Sequence, residues 1–355
     1  MAKSSFQHGK SNVFWRRMIV GGLVAVLVAS VVLIVAVVLR LTDTPAPAPA
    51  GSSTPDSTAS TTAEPTSLPT LPAEEITDSL YSRQAIVYDA THDVVLYEKG
   101  GDAVCYPASL TKMLTGAVAL EYLSPDAVLP VGDEIDLKMW DASCAYIQKG
   151  SELTVSELLE ALLLPSGADA AYCLAVNTAR IATENPDLPD EEAVEVFCRF
   201  LNETAAQIGA THTHFVNPDG YNDNDHYSTP ADLVKIAQYA QSFPEMKRIM
   251  GLAETDSYRN SNLLLKEDGM YYYSAATGLK TGSTDEAGYC LAASVEKDGV
   301  ELIGIFLDSG LSEGRYIDAI SLFDQSFTLL GVTPPPHAEL DRPDPDASVG
   351  DAGES

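Results

Sequence analysis

The chain is short of positive charge: 21 lysines and arginines stand against 51 aspartates and glutamates, a formal −30 over 355 residues. A protein of that sign lacks the basic face that displaces counterions from phosphates, which excludes a nucleic-acid partner. Cysteine is scarce too. The five, at 105, 144, 173, 198 and 290, include no C-x-x-C pair and no Cys/His group with ligand spacing. No metal is expected, and an odd count leaves at least one thiol unpaired if disulfides form. Internal repeats are absent as well. What the chain does have is apolar residues, 45% of the total, ordinary for a folded protein.

The few basic residues are unevenly placed. Residues 1–41 hold Lys3, Lys10, Arg16, Arg17 and Arg40 and no acid, leaving 16 basic against 51 acidic residues, a formal −35, for the remainder. Met18–Leu39 is an uncharged run of 22 residues. As a helix it measures about 33 Å, enough to cross a hydrocarbon core of roughly 30 Å. The basic flank predicts a single-pass membrane anchor with residues 1–17 in the cytoplasm and the rest on the extracytoplasmic face of the cell membrane. A cleaved signal peptide and secretion is the alternative, although such apolar regions usually run only about 7–15 residues. Residues 40–74, rich in Pro, Ala, Ser and Thr, are expected to be a linker with too little apolar surface to fold. A globular domain is expected over 75–333, then an acidic, disordered tail over 334–355.

Within the globular part, AIVY (85–88) and VVLY (94–97) read as a β-hairpin. A helical pattern opens at Ser109, another runs from Leu153 to Leu164 and stops at Pro165, and Ser312–Leu330 closes the domain with a helix. Alternation from Tyr289 and from Glu301 gives two strands flanking the turn Lys297-Asp298-Gly299. Strands at both ends with helices between them predict an α+β fold whose termini pair in one antiparallel sheet.

Three short motifs carry chemistry. In Ser109-Leu110-Thr111-Lys112 the spacing i, i+3 sets a hydroxyl and an amine on one helical face. Serine is a weak nucleophile until a base takes its proton, and lysine serves as that base only if its pKa is depressed. Alone, Ser109 reads better as a helix N-cap. Ser166-Gly167 follows the second apolar helix, where a serine is commonly the cap of the next one. Lys280-Thr281-Gly282, just before the strand near 288–295, offers an edge for a substrate carboxylate and backbone, or a plain turn. His92, His212, His214 and His226 read as structural or exposed imidazoles.

In that order the motifs S-x-x-K, S-G and K-T-G resemble the set of penicillin-binding proteins and serine β-lactamases. Residues 82–331 resemble the low-molecular-mass D-alanyl-D-alanine carboxypeptidases. The likeness extends to YDATHDVVLYEKGGDAVCYPASLTKMLT, SELTVSELLEALLLPSGADAAYCLA, FVNPDGYNDNDHYSTPADLVKIA and TGLKTGSTDEAGYCLAAS. The resemblance implies an antiparallel sheet flanked by helices with a helical subdomain, the transpeptidase fold. It implies Ser109 as nucleophile, Lys112 as its base and Ser166 as a proton relay. Lys280, Thr281 and Gly282 would bind the substrate's terminal carboxylate and backbone, and the N–H groups of Ser109 and Ser283 would form the oxyanion hole. Peptidoglycan stem peptides ending in D-Ala-D-Ala would be substrates and β-lactams inhibitors, with no cofactor. One position departs: Ala168 stands where the family usually has Asn. A lost hydrogen bond there would cost roughly 1–3 kcal/mol, so a weakly active or inactive cell-wall-binding and sensing homologue is a second reading. A class A-like β-lactamase would need a loop glutamate, for which Glu184 is the candidate.

Overall fold

The computed structural model describes residues 70–72 and 79–340. The predicted anchor 18–39, the basic segment before it and most of the 40–74 linker lie outside the described residues, as does the tail beyond 340. Among the described residues, no helix is long and apolar enough to cross a membrane.

Five strands form one antiparallel sheet: β1 (Ser82–Asp89), β2 (Val94–Lys99), β5 (Ala276–Thr284), β6 (Gly288–Lys297) and β7 (Val300–Ser309), in the order β2-β1-β7-β6-β5. The first strand thus pairs with the last, Ile86 opposite Ile305. Both faces of the sheet are covered. Ala85 and Val87 point to one core with Phe306, while Ile86 points to the other with Ile303 and Ile305, as the two-residue period of a strand requires. The helix α7 (Gly314–Leu329) covers the first face through Tyr316, Ile320, Phe323 and Phe327.

On the other side sits a helical subdomain. Its centre is α1 (Thr111–Tyr122), every residue of which from Thr111 to Ala119 is buried. Around it pack α2 (Val155–Leu163), α3 (Ala168–Ala182), α4 (Asp190–Gln207) and α5 (Pro230–Gln241), with the short α6 (Pro244–Met250) between α5 and α2. A two-stranded ribbon of β3 (Val128–Pro130) and β4 (Glu152–Thr154) completes the fold.

Three local expectations change. The predicted helix at Leu153 begins at Val155, because Thr154 caps it reciprocally with Glu157 and the residues before the cap are extended as β4. Lys280-Thr281-Gly282 lies inside β5, the sheet's outermost strand beyond β6, rather than in a turn before a strand. Two glycines and few large apolar side chains hid this strand in the sequence. Residues 334–340, where the tail was expected to begin, carry no helix or strand, yet His337 bonds Asp324 at 2.8 Å.

Candidate active site

Ser109 lies in a single 3-10 turn, Ala108–Leu110, that leads directly into α1. Ala108 adopts φ +47°, a left-handed conformation costly for a residue with a side chain. Two glycines let other segments close on this turn. A Cβ on Gly282 of β5 would stand 3.0 Å from the Ser109 nitrogen, and one on Gly220 (φ +82°) would stand 1.9 Å from the Ala108 oxygen. The edge strand and the 214–228 loop therefore meet the nucleophile turn backbone to backbone.

One turn along, the Lys112 ammonium donates to Ser109 Oγ at 2.9 Å and to the Asp219 carbonyl at 2.6 Å. Burial pushes its pKa down to about 8, against the upward pull of the Asp219 and Asp169 carboxylates. The 2.9 Å contact reverses direction when the amine is neutral: the serine O–H then donates to Nζ. Asp219 is itself buried, which raises its carboxyl pKa despite Lys112 nearby.

A cleft of about 950 Å³ opens over these groups, lined among others by Ser109, Lys112, Ser166, Thr281, Ser283 and Arg315. The structure thus brings Ser109, Lys112, Ser166, Thr281, Gly282 and Ser283 to one cavity. Ser166 is not the cap of α3, a position held by Gly167; it adopts φ +68°, and its buried Oγ has no hydrogen-bond partner. Its carbonyl accepts from Ser143 Oγ at 2.6 Å. Thr281 Oγ1 meets Ser261 Oγ at 2.5 Å. β5 is an outer strand whose residues Thr281, Gly282, Ser283 and Thr284 line the cleft, a position from which a sheet can pair with an extended peptide.

Lys280 stands apart. It is 0% exposed and is not among the cleft-lining residues; its amine donates to the Thr281 carbonyl at 2.9 Å. Burial, with Lys112 and Arg315 as cationic neighbours, drives its pKa well down. The cation that reaches the cleft beside β5 is Arg315 of α7, which the sequence reading missed. Its Nη1 donates to the carbonyls of Gly282 at 3.1 Å and Cys290 at 3.0 Å, and its buried Nε has no partner. A lone arginine in a C-terminal helix carries no local motif. Its scarcity in an acidic chain was the one available signal.

Ala168, at the position of the family's usual Asn, is fully buried; its N–H donates to the Ser143 carbonyl at 2.8 Å, and it does not line the cleft. Asp169 beside it holds the neighbouring loop, accepting from the amides of Ala145 at 2.9 Å and Ile147 at 3.1 Å. Glu184 is exposed and outside the cleft lining. The five cysteines are free thiols, three of them buried. Among the described residues, no group of three or more His, Cys, Asp or Glu side chains is arranged to hold a metal ion.

A serine held against a buried lysine at the head of a central helix, beside an outer strand carrying K-T-G, defines the active-site-serine class with the DD-peptidase fold. Residues 71–310 match the profile of the D-alanyl-D-alanine carboxypeptidase family, and the chain belongs to it. It is 31% identical over 252 residues to a D-alanyl-D-alanine carboxypeptidase of Streptomyces sp. (strain K15), covering 66% of this chain and 83% of the relative. It is 27% identical over 260 residues to the D-alanyl-D-alanine carboxypeptidase DacF of Bacillus subtilis, covering 70% of this chain and 62% of that protein's length. Among solved structures, the Streptomyces K15 DD-transpeptidase superposes with a TM-score of 0.64 at 30% identity, over 70% of this chain and 98% of that one. Penicillin-binding protein D2 of Listeria monocytogenes, in its ampicillin-bound form, gives 0.57 at 30% identity over the same shares.

Proposed function

We propose that the protein is a serine-type D-Ala-D-Ala carboxypeptidase that trims peptidoglycan stem peptides and is acylated by β-lactams. The observation that carries this reading is the 2.9 Å contact between Ser109 Oγ and an amine whose burial holds its pKa near 8. Ser109 Oγ attacks the carbonyl carbon of the penultimate D-alanine while neutral Lys112 takes the hydroxyl proton. The N–H groups of Ser109 and Ser283 hold the resulting oxyanion, a contribution of about 3–4 kcal/mol per donor in comparable sites. Collapse breaks the peptide bond, and the departing D-alanine amine collects its proton through Ser166. Water then hydrolyses the ester and regenerates Ser109.

Thr281 and Arg315 together take the terminal carboxylate, and Lys280 supports them from beneath. This assignment differs from the one the motif alone implies. What supports it is that Arg315 lines the cleft beside Thr281 and Lys280 does not. The unpartnered Ser166 Oγ and Arg315 Nε fit groups that complete their hydrogen bonds only with substrate bound.

The apolar run 18–39 supports an N-terminal membrane anchor, with the 40–74 linker carrying the catalytic domain on the extracytoplasmic side. Membrane fractionation of the full chain tests this: the protein is expected in the membrane pellet, resistant to salt and released by detergent. For the chemistry, the protein is incubated with a peptide ending in D-Ala-D-Ala and with a fluorescent penicillin. Release of D-alanine and a long-lived label on Ser109 are expected, both lost in Ser109→Ala. Fast drug hydrolysis would point to a β-lactamase, and neither label nor release would overturn the proposal.

A further inference from the structure

Something must hold Ala108 in its left-handed conformation, because that turn aims Ser109 Oγ at Lys112. Thr111 Oγ1 bonds the Ala108 carbonyl at 2.9 Å and His226 Nε2 at 2.8 Å. A threonine hydroxyl has one proton, and a carbonyl only accepts, so that proton goes to Ala108 and the contact with His226 requires an Nε2–H donor. On the other side of the ring the Val216 amide donates to Nδ1 at 3.2 Å, so Nδ1 carries no proton. Both nitrogens are thereby fixed in one tautomer. The hydrogen bonds run in one sense: Val216 N–H to Nδ1, Nε2–H to Thr111 Oγ1, and Oγ1–H to the Ala108 carbonyl.

The ring is buried against Phe215, with centroids 5.0 Å apart, and burial holds its pKa down at about 3. The same 214–228 loop grips α1 at two further points. The Asp219 carbonyl takes the Lys112 ammonium, and the Pro218 carbonyl takes the Thr115 hydroxyl at 2.6 Å. One loop therefore binds three residues within the first turns of the nucleophile helix.

We infer that His226 is a positioning residue for acyl transfer: acting through Thr111, it fixes the Ala108 carbonyl and so the direction of the Ser109 hydroxyl. A proton relay does not fit these atoms. The chain ends on a carbonyl that cannot pass a proton onward, and neither Thr111 nor His226 lines the cleft. This inference rests on the serine acyl-transfer reading above.

The test compares the wild-type protein with His226→Phe, His226→Gln and Thr111→Val. The second-order rate of acylation by fluorescent penicillin, the kcat and KM for a D-Ala-D-Ala peptide and the melting temperature are measured well below every melting point. Phe keeps the ring packing without the hydrogen bonds, whereas Gln offers an N–H donor and an oxygen acceptor. His226→Phe is expected to lower acylation and kcat tenfold or more, with KM within twofold and an unmoved pH midpoint. Gln is expected to recover to within about threefold of wild type. Thr111→Val should reproduce the Phe loss, and the double variant should add nothing to it. Full acylation by folded His226→Phe or by Thr111→Val would overturn the inference, and so would equal impairment of Phe and Gln. An unlabelled wild-type protein would instead overturn the acyl-transfer reading itself.

Discussion

Replacing Asp219 by asparagine changes the charge around Lys112 without removing an atom that holds it, because Lys112 bonds the backbone carbonyl of that residue. Burial brings the lysine from an ordinary 10.5 to about 8. At pH 7 the neutral, proton-accepting fraction then rises from about one in 3,000 to about one in ten. Two carboxylates oppose this, Asp219 foremost. Loss of an opposite charge close by moves a pKa by about 1–3 units. The Lys112 ammonium bonds the backbone carbonyl of Asp219 and not its carboxylate, so the lower end of that range applies. The expected midpoint for the variant is therefore about one unit below wild type. Acylation by a fluorescent penicillin, measured by stopped flow from pH 5.5 to 9.5, should rise with pH through the lysine midpoint in both proteins. Near pH 7 the variant should be up to about fivefold faster, and above pH 9 the two should coincide. A midpoint that stays put or moves upward would refute the reasoning, as would a wild-type rate independent of pH between 6 and 8.

Arg315→Met should slow hydrolysis of a D-Ala-D-Ala peptide by about ten- to a hundredfold, corresponding to the ~1.5–3 kcal/mol of a charged hydrogen bond. Hydrolysis of the same peptide with an amidated C-terminus should change far less, and an equal loss on both substrates would argue against carboxylate recognition. Asp169→Asn weakens the acceptor for the amides of Ala145 and Ile147. Chemical denaturation should show a loss of about 2–3 kcal/mol, and an unchanged midpoint would show that this loop is held otherwise. The His226 pKa is depressed to about 3 in the fold against an ordinary 6.5. Below pH 6.5 the unfolded chain therefore binds a proton that the native one does not, and native stability falls as the pH falls. From about pH 5.5 to 4 the wild-type protein should lose up to ~1.4 kcal/mol per pH unit more than His226→Gln. Parallel curves would show that the buried ring accepts a proton.

Much of the fold was legible in the sequence because its terminal strands and long helices are strongly patterned. AIVY, YCLAASVE and ELIGIFLD lie in the strands expected of them, and the helix following Ser109 is the buried centre of its subdomain. The outer strand β5 was hidden because Ala276–Thr284 owes its conformation to pairing with β6, not to its own composition. Position in the fold, not residue type, also decided the site. Ser109 and Lys112 are local to one helix turn, so spacing alone brought them together. Arg315 lies 33 residues from the Gly282 carbonyl it contacts, and His226 lies 115 residues from Thr111. No window along the chain joins such pairs. The motif lysine Lys280 was named from the sequence, but only the packing around it showed that it is fully buried and does not line the cleft.

The measurement that bears most directly on the central claim is intact-protein mass spectrometry after brief exposure to benzylpenicillin, followed by peptide mapping. The protein should gain the mass of one penicillin, carried on the peptide containing Ser109, with no gain in Ser109→Ala and little in Lys112→Met. An adduct that persists in Ser109→Ala, or a wild-type protein that stays unmodified while folded, would contradict the assignment of Ser109 as the nucleophile and Lys112 as its base.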